Sequence, residues 1–190
     1  MNIYNIASVT FASFIYIYLA RQISKGKAEQ NLATWLSWGL LDLVAGISLF
    51  AQDGNWYLPT FYVAGCTLIL YCIIGSAKFK WGRVETICFL LVIVSVFMWT
   101  RSGPWYATVI STVGVVIASY PQLKDAVFTP STSPAEVFVG FAVANALSTA
   151  GGKAWIVEER LYPGVNTILC VLIVVFSLRK YFFVERPRGV

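Results

Sequence analysis

The chain has 190 residues, 58% hydrophobic and 12% charged, and a mean hydropathy of +0.71. A soluble domain of this length cannot hide so much apolar side chain in one core, so most of the surface must face lipid. The net charge is +5, and histidine is absent, which removes the commonest general base, metal ligand and physiological pH switch.

Apolar runs between polar punctuation fall at residues 3–20, 32–51, 56–77, 84–100, 105–123, 135–157 and 161–178, and each is long enough to cross a bilayer as a helix. The first run has no Lys or Arg ahead of it, so it is expected to remain as a membrane helix rather than to act as a cleaved signal. The second carries Trp35, Trp38 and Asp42, and the third opens with Pro59 and Thr60. The fifth ends in Tyr120-Pro121-Gln122-Leu123, followed by a polar loop rich in Thr, Ser and Pro over 129–134. The sixth holds Phe138, Phe141 and Asn145, and the seventh holds Pro163 and Asn166. The middle of the seventh has no Lys, which argues against a retinal-type photoreceptor. Cys66, Cys72, Cys88 and Cys170 all lie inside apolar runs, where small packing residues are expected rather than a disulfide framework or a thiolate metal site. No metal, cofactor or enzymatic constellation is expected: there is no Ser/Lys or paired-Asp arrangement at one depth.

Eleven basic residues (Arg21, Lys25, Lys27, Lys78, Lys80, Arg83, Lys124, Arg179, Lys180, Arg186 and Arg188) fall in the first, third and fifth loops and the C-terminal tail. Arg101, Lys153 and Arg160 fall on the other side. Because basic loops are retained in the cytoplasm, the N-terminus is expected outside and the C-terminus in the cytoplasm of a multi-pass protein of the cell or inner membrane. A basic face beside anionic lipid explains the net charge without a nucleic-acid partner. Trp56, Trp99, Trp105 and Trp155 near outer helix ends, with Trp81 near an inner one, read as an interfacial aromatic belt. Lys153 reads as an interfacial anchor near Glu158 and Glu159, while Asp53, Glu85 and Glu136 lie at helix ends and are expected to stay solvated.

Laid on itself at a spacing of about 100 residues, the chain pairs Gln22 with Gln122, Asp42 with Asn145 and Pro59 with Pro163. Two units of three helices run parallel only if an extra helix stands between them, and the fourth run supplies it. The expected fold is therefore an all-α membrane protein of seven transmembrane helices: a first three-helix bundle at 1–80, a linker helix at 81–103, a second bundle at 104–182 and a tail at 183–190.

Asp42 lies near the middle of its span, where an exposed charge costs at least ~2.5–3.5 kcal/mol, so it needs a cavity or a partner. Asn145 sits at the matched depth. Trp38 and Phe141 stand one turn earlier on their helices, so both halves present an aromatic and polar stripe of the kind a midplane solute pocket needs. Packing aromatics with two polar groups as interhelical glue is the competing interpretation. Pro121 cannot donate to the Ile117 carbonyl, so the fifth helix is expected to bend there, as a gate hinge with Gln122 or as a helix stop.

Pro121-Gln122 with its polar loop, and Pro163 with Asn166, resemble the signatures of the PQ-loop family, to which the SWEET-like transporters belong and the KDEL receptors are distantly similar. In the first half Arg21-Gln22 stands in place of Pro-Gln and Thr60 in place of Asn166. The resemblance implies alternating-access transport of a small polar solute (a sugar, an amino acid or similar), with Asn166 and Thr60 joining Asp42, Asn145, Trp38 and Phe141 around the substrate. Asp42 would then be the candidate for proton coupling. It also allows a non-transporting membrane receptor or assembly factor on the same fold, because fold alone does not set function.

Overall fold

The computed structural model describes residues 1–28, 30–74, 82–128 and 134–182. Its regular elements are α1 (Ile3–Ser24), α2 (Leu32–Phe50), α3 (Tyr57–Ile74), α4 (Arg83–Ser102), α5 (Pro104–Ala118), α6 (Tyr120–Phe128), α7 (Ala135–Ala150) and α8 (Val157–Phe182), and no strand forms among the described residues. Because α5 and α6 continue one another, these make seven helical rods. Ile3–Ser24, Tyr57–Ile74, Pro104–Phe128 and Val157–Arg179 are long and apolar enough to cross a membrane, while Thr34–Phe50, Phe89–Ser102 and Ala135–Ala150 are shorter apolar helices. Large apolar side chains such as Phe14, Tyr71, Phe97 and Ile168 point outward, as lipid-facing positions do.

Local sequence sets the ends of these helices. The Asn2 side chain caps α1 by accepting the Asn5 backbone N–H at 3.0 Å. Gly103, at φ 96, makes the sharp reversal into α5, and Pro104 follows at its first position, where a missing N–H costs nothing. At Pro121 the helical ladder is interrupted: Ser119 separates α5 from α6, its hydroxyl donating to the Val115 carbonyl at 2.7 Å. Pro163 lies inside α8 and leaves the Glu159 carbonyl without its intrahelical donor, and the Asn55 side chain donates to that carbonyl at 3.4 Å.

α3 packs between α1 and α2, and α8 packs between α5 and α7. The two groups meet where α1 touches α7 and α2 touches α5, so six helices close around a centre while α4 lies outside against α5 and α2. Close approach depends on small residues. A Cβ on Gly65 would sit 2.4 Å from the Tyr16 ring, so only glycine lets that ring cross α3.

Several boundaries differ from the apolar runs. The sixth run continues to residue 157, but α7 stops at Ala150 and α8 begins at Val157. Residues 151–156 form the connection instead, because Arg160 draws the Gly152 and Ala154 carbonyls to its guanidinium at 2.9 and 3.0 Å. The fifth run is longer than expected, extending as α6 to Phe128. Lys78, Lys80, Trp81, the polar loop at 129–133, the tail at 183–190 with Arg186 and Arg188, and the side chains of Glu85, Cys88 and Lys180 lie outside the described residues.

Candidate functional site

A cavity lies at the centre of the six-helix ring, with about 470 Å³ of space between side chains, counting its opening. α2 contributes Trp35, Trp38 and Asp42 from successive turns of one face, and α7 contributes Phe138, Phe141 and Asn145 from the equivalent face. α3 adds Tyr62 and Cys66, and α8 adds Asn166, Leu169, Cys170 and Ile173. Tyr16 of α1, Val115 of α5 and Ser119 at the α5–α6 break complete the wall. Of the residues singled out in sequence, Asp42, Trp38, Phe141, Asn145 and Asn166 therefore line one cavity.

Thr60 does not. It is exposed and faces Gly46 of α2, where an added Cβ would meet its hydroxyl at 2.8 Å. The reason is register: Asn166 follows Pro163 by three residues, and the same step from Pro59 reaches Tyr62, whereas Thr60 is turned roughly 200° away around the helix. Tyr62, not Thr60, is the counterpart of Asn166. With that correction all of the lining but Val115, Leu169 and Ile173 falls into matched pairs at one spacing to within a residue: Tyr16 with Ser119, Trp35 with Phe138, Trp38 with Phe141, Asp42 with Asn145, Tyr62 with Asn166 and Cys66 with Cys170. The pair Gln22–Gln122 falls short of this spacing, and neither glutamine lines the cavity. Gln122 is buried and Pro121 occupies the second position of α6.

The polar groups cross between the halves. Asp42 Oδ1 accepts the Tyr162 hydroxyl from α8, and Oδ2 faces the Cys66 thiol at 3.8 Å. Asn145 Nδ2 donates to the Tyr62 hydroxyl on α3 at 2.8 Å and to the Phe141 carbonyl at 2.8 Å. Two of the lining residues carry a buried polar atom with no protein partner: the Trp38 indole N–H and Asn145 Oδ1. The aromatic rings interlock edge to face, with Tyr16 centred 5.0 Å from Phe141, 5.7 Å from Tyr62 and 6.1 Å from Trp35. Cys66, Cys72 and Cys170 are free thiols.

One end of the ring is closed by polar contacts between the α2–α3 and α7–α8 connections. Asn55, 2% exposed, donates its side-chain N–H to the Ser148 carbonyl at 2.8 Å and its backbone N–H to the Glu158 carbonyl at 3.0 Å. Lys153 pairs with Glu159 at 3.7 Å and donates to the Asp53 carbonyl at 3.1 Å, so it ties two connections together rather than serving only as an anchor. Asn2 donates to the Gly151 carbonyl at 2.6 Å. Gly54 fits this junction because a Cβ there would lie 2.5 Å from the Glu158 carbonyl oxygen. From Asp42 and Asn145, the aromatic turns of α2 and α7 and the later turns of α8 carry the cavity away from this clasp.

Sequence reasoning missed Tyr16, Tyr62, Tyr162 and Asn55. The signal available for Tyr62 was its fixed step from Pro59, and Tyr162 directly precedes Pro163. Comparison with family models, with curated proteins and with solved structures finds no match for the chain.

Proposed function

We propose that this chain is a membrane transporter that moves a small polar solute by alternating access, with its N-terminus outside, its C-terminus in the cytoplasm and its helices arranged as two parallel three-helix units joined by α4, in the manner of the PQ-loop and SWEET-like proteins it resembles. The observation that carries this reading is the central cavity, lined mostly in matched pairs from both halves and including two residues, Trp38 and Asn145, with unpartnered buried polar atoms. Supporting it, α1, α3 and α2 pack in the same order as α5, α8 and α7. Arg21 lies in the last turn of α1 and Lys25 and Lys27 follow it, whereas Lys153 and Arg160 belong to the clasp at the opposite end, a charge split that fits an outward-facing clasp. Asp42 is the group through which a proton gradient would act, because a carboxylate at this depth carries either a proton or a partner.

Uptake of labelled solutes into proteoliposomes, surveyed across sugars, amino acids and amines, tests the reading. The expected result is saturable counterflow of one class, with any dependence on a proton gradient lost in Asp42→Asn. Saturable binding without flux would make the protein a receptor, and neither binding nor flux would remove the cavity's assigned role.

A further inference from the structure

The walls of the cavity carry a charge pattern as well as a shape. Six aromatic rings surround it, those of Tyr16, Trp35, Trp38, Tyr62, Phe138 and Phe141. Asp42 is its one acidic residue, and no Lys or Arg lines it among the described residues. The groups that approach the Asp42 carboxyl are neutral: the Tyr162 hydroxyl and the Cys66 thiol. A carboxylate taken out of water without a cationic partner is costly, and a solute cation seated in the cavity would supply that partner. Aromatic faces present negative potential to a cation held over them, and they do so most strongly where water is excluded. Asn145, 1% exposed, and Trp38 both line this space, and each holds an unpartnered polar atom, an amide oxygen that can accept an N–H and an indole N–H that can donate to an oxygen.

Resting on the transporter reading and naming its substrate class, we propose that the cavity takes a small organic cation, a protonated amine whose ammonium group pairs with Asp42, lies among the aromatic rings and donates to Asn145 Oδ1. Anions and zwitterions are disfavoured because a solute carboxylate would enter beside Asp42 with no basic residue to meet it. A neutral polyol lacks the charge that the carboxylate calls for. A quaternary ammonium satisfies the aromatic faces but leaves Asn145 without a donor, so it should bind more weakly than an amine of similar size.

Equilibrium binding to the purified full-length protein decides the matter, with methylammonium, 2-aminoethanol and benzylamine each set against its neutral isostere, methanol, ethylene glycol or benzyl alcohol, and with glycine and glucose alongside. At least one ammonium should bind saturably and ten-fold or more tighter than its isostere. Asp42→Asn, which keeps an oxygen for the Tyr162 hydroxyl, should lower that affinity ten-fold or more with a melting temperature near that of the parent. Isosteres that compete as well as the ammonium, or no saturable binding by any ammonium, overturn the inference, and this comparison needs no variant to fold. Flux keeps the two claims apart. Glucose or glycine carried while amines are excluded would sink the cation site and leave the transporter, whereas an amine bound but never moved would leave the cation site and sink the transporter.

Discussion

Asp42 and Asn145 hold matched positions but unequal bonds, and this makes their substitutions diagnostic. Asn145→Ala removes the donor to the Tyr62 hydroxyl inside an apolar wall, so thermal unfolding should report a loss of about 1–3 kcal/mol. Tyr62→Phe should cost less, about 0.6–1.7 kcal/mol, because Asn145 Nδ2 keeps its bond to the Phe141 carbonyl. If both variants unfold easily while the folded remainder binds solute normally, these residues are interhelical glue and not a site. Asp42 and Asn145 were legible in the sequence because a carboxylate and an amide stand out inside an apolar run. Tyr16, Tyr62 and Tyr162 were not, since Tyr18 and Tyr71 have the same chemistry in similar runs and point outward, and no single-residue property distinguishes a tyrosine facing a cavity from one facing lipid.

At the scale of helices, prolines recur where a carbonyl is needed elsewhere or where a rod must break. Pro163 releases the Glu159 carbonyl to Asn55, and Pro121 coincides with the break at Ser119, itself part of the cavity wall. Motion at that break would alter the cavity directly. Pro121→Ala restores a donor for the Ile117 carbonyl and should straighten α5 into α6. Flux measured beside equilibrium binding should then fall severalfold with affinity unchanged to within a few-fold, and unaltered flux would reduce Pro121 to a helix stop. The helices were legible from hydropathy, and the cavity residues Asp42, Asn145 and Asn166 from polar groups and prolines spaced along apolar runs. The end of α7 was not, because Val157 and its neighbours are apolar while the chain there is held by backbone contacts to Arg160, which hydropathy does not register.

For the whole molecule, the consequence is an asymmetry between its two ends: the clasp around Asn55 closes one, and the cavity leads toward the other. Cys66 and Cys170 line the cavity from opposite halves as free thiols, so they report which end admits water. With Cys72 and Cys88 changed to serine, a membrane-impermeant maleimide should label Cys66 and Cys170 in inside-out vesicles and leave them protected in intact cells, since the proposed topology puts the clasp outside. Asn55→Ala removes the bonds to Ser148 and to the Glu159 carbonyl that Pro163 leaves open. If the two ends exchange closure through a small free-energy difference, a loss of about 1.4 kcal/mol on one side shifts the ratio of states about ten-fold. Labelling from outside should rise several-fold in that variant, and labelling from inside should fall in step. A rise on both sides would mean that the helices have merely loosened. No change on either side would mean that the clasp holds the connections together without gating the cavity, and labelling of the parent from outside alone would invert the topology.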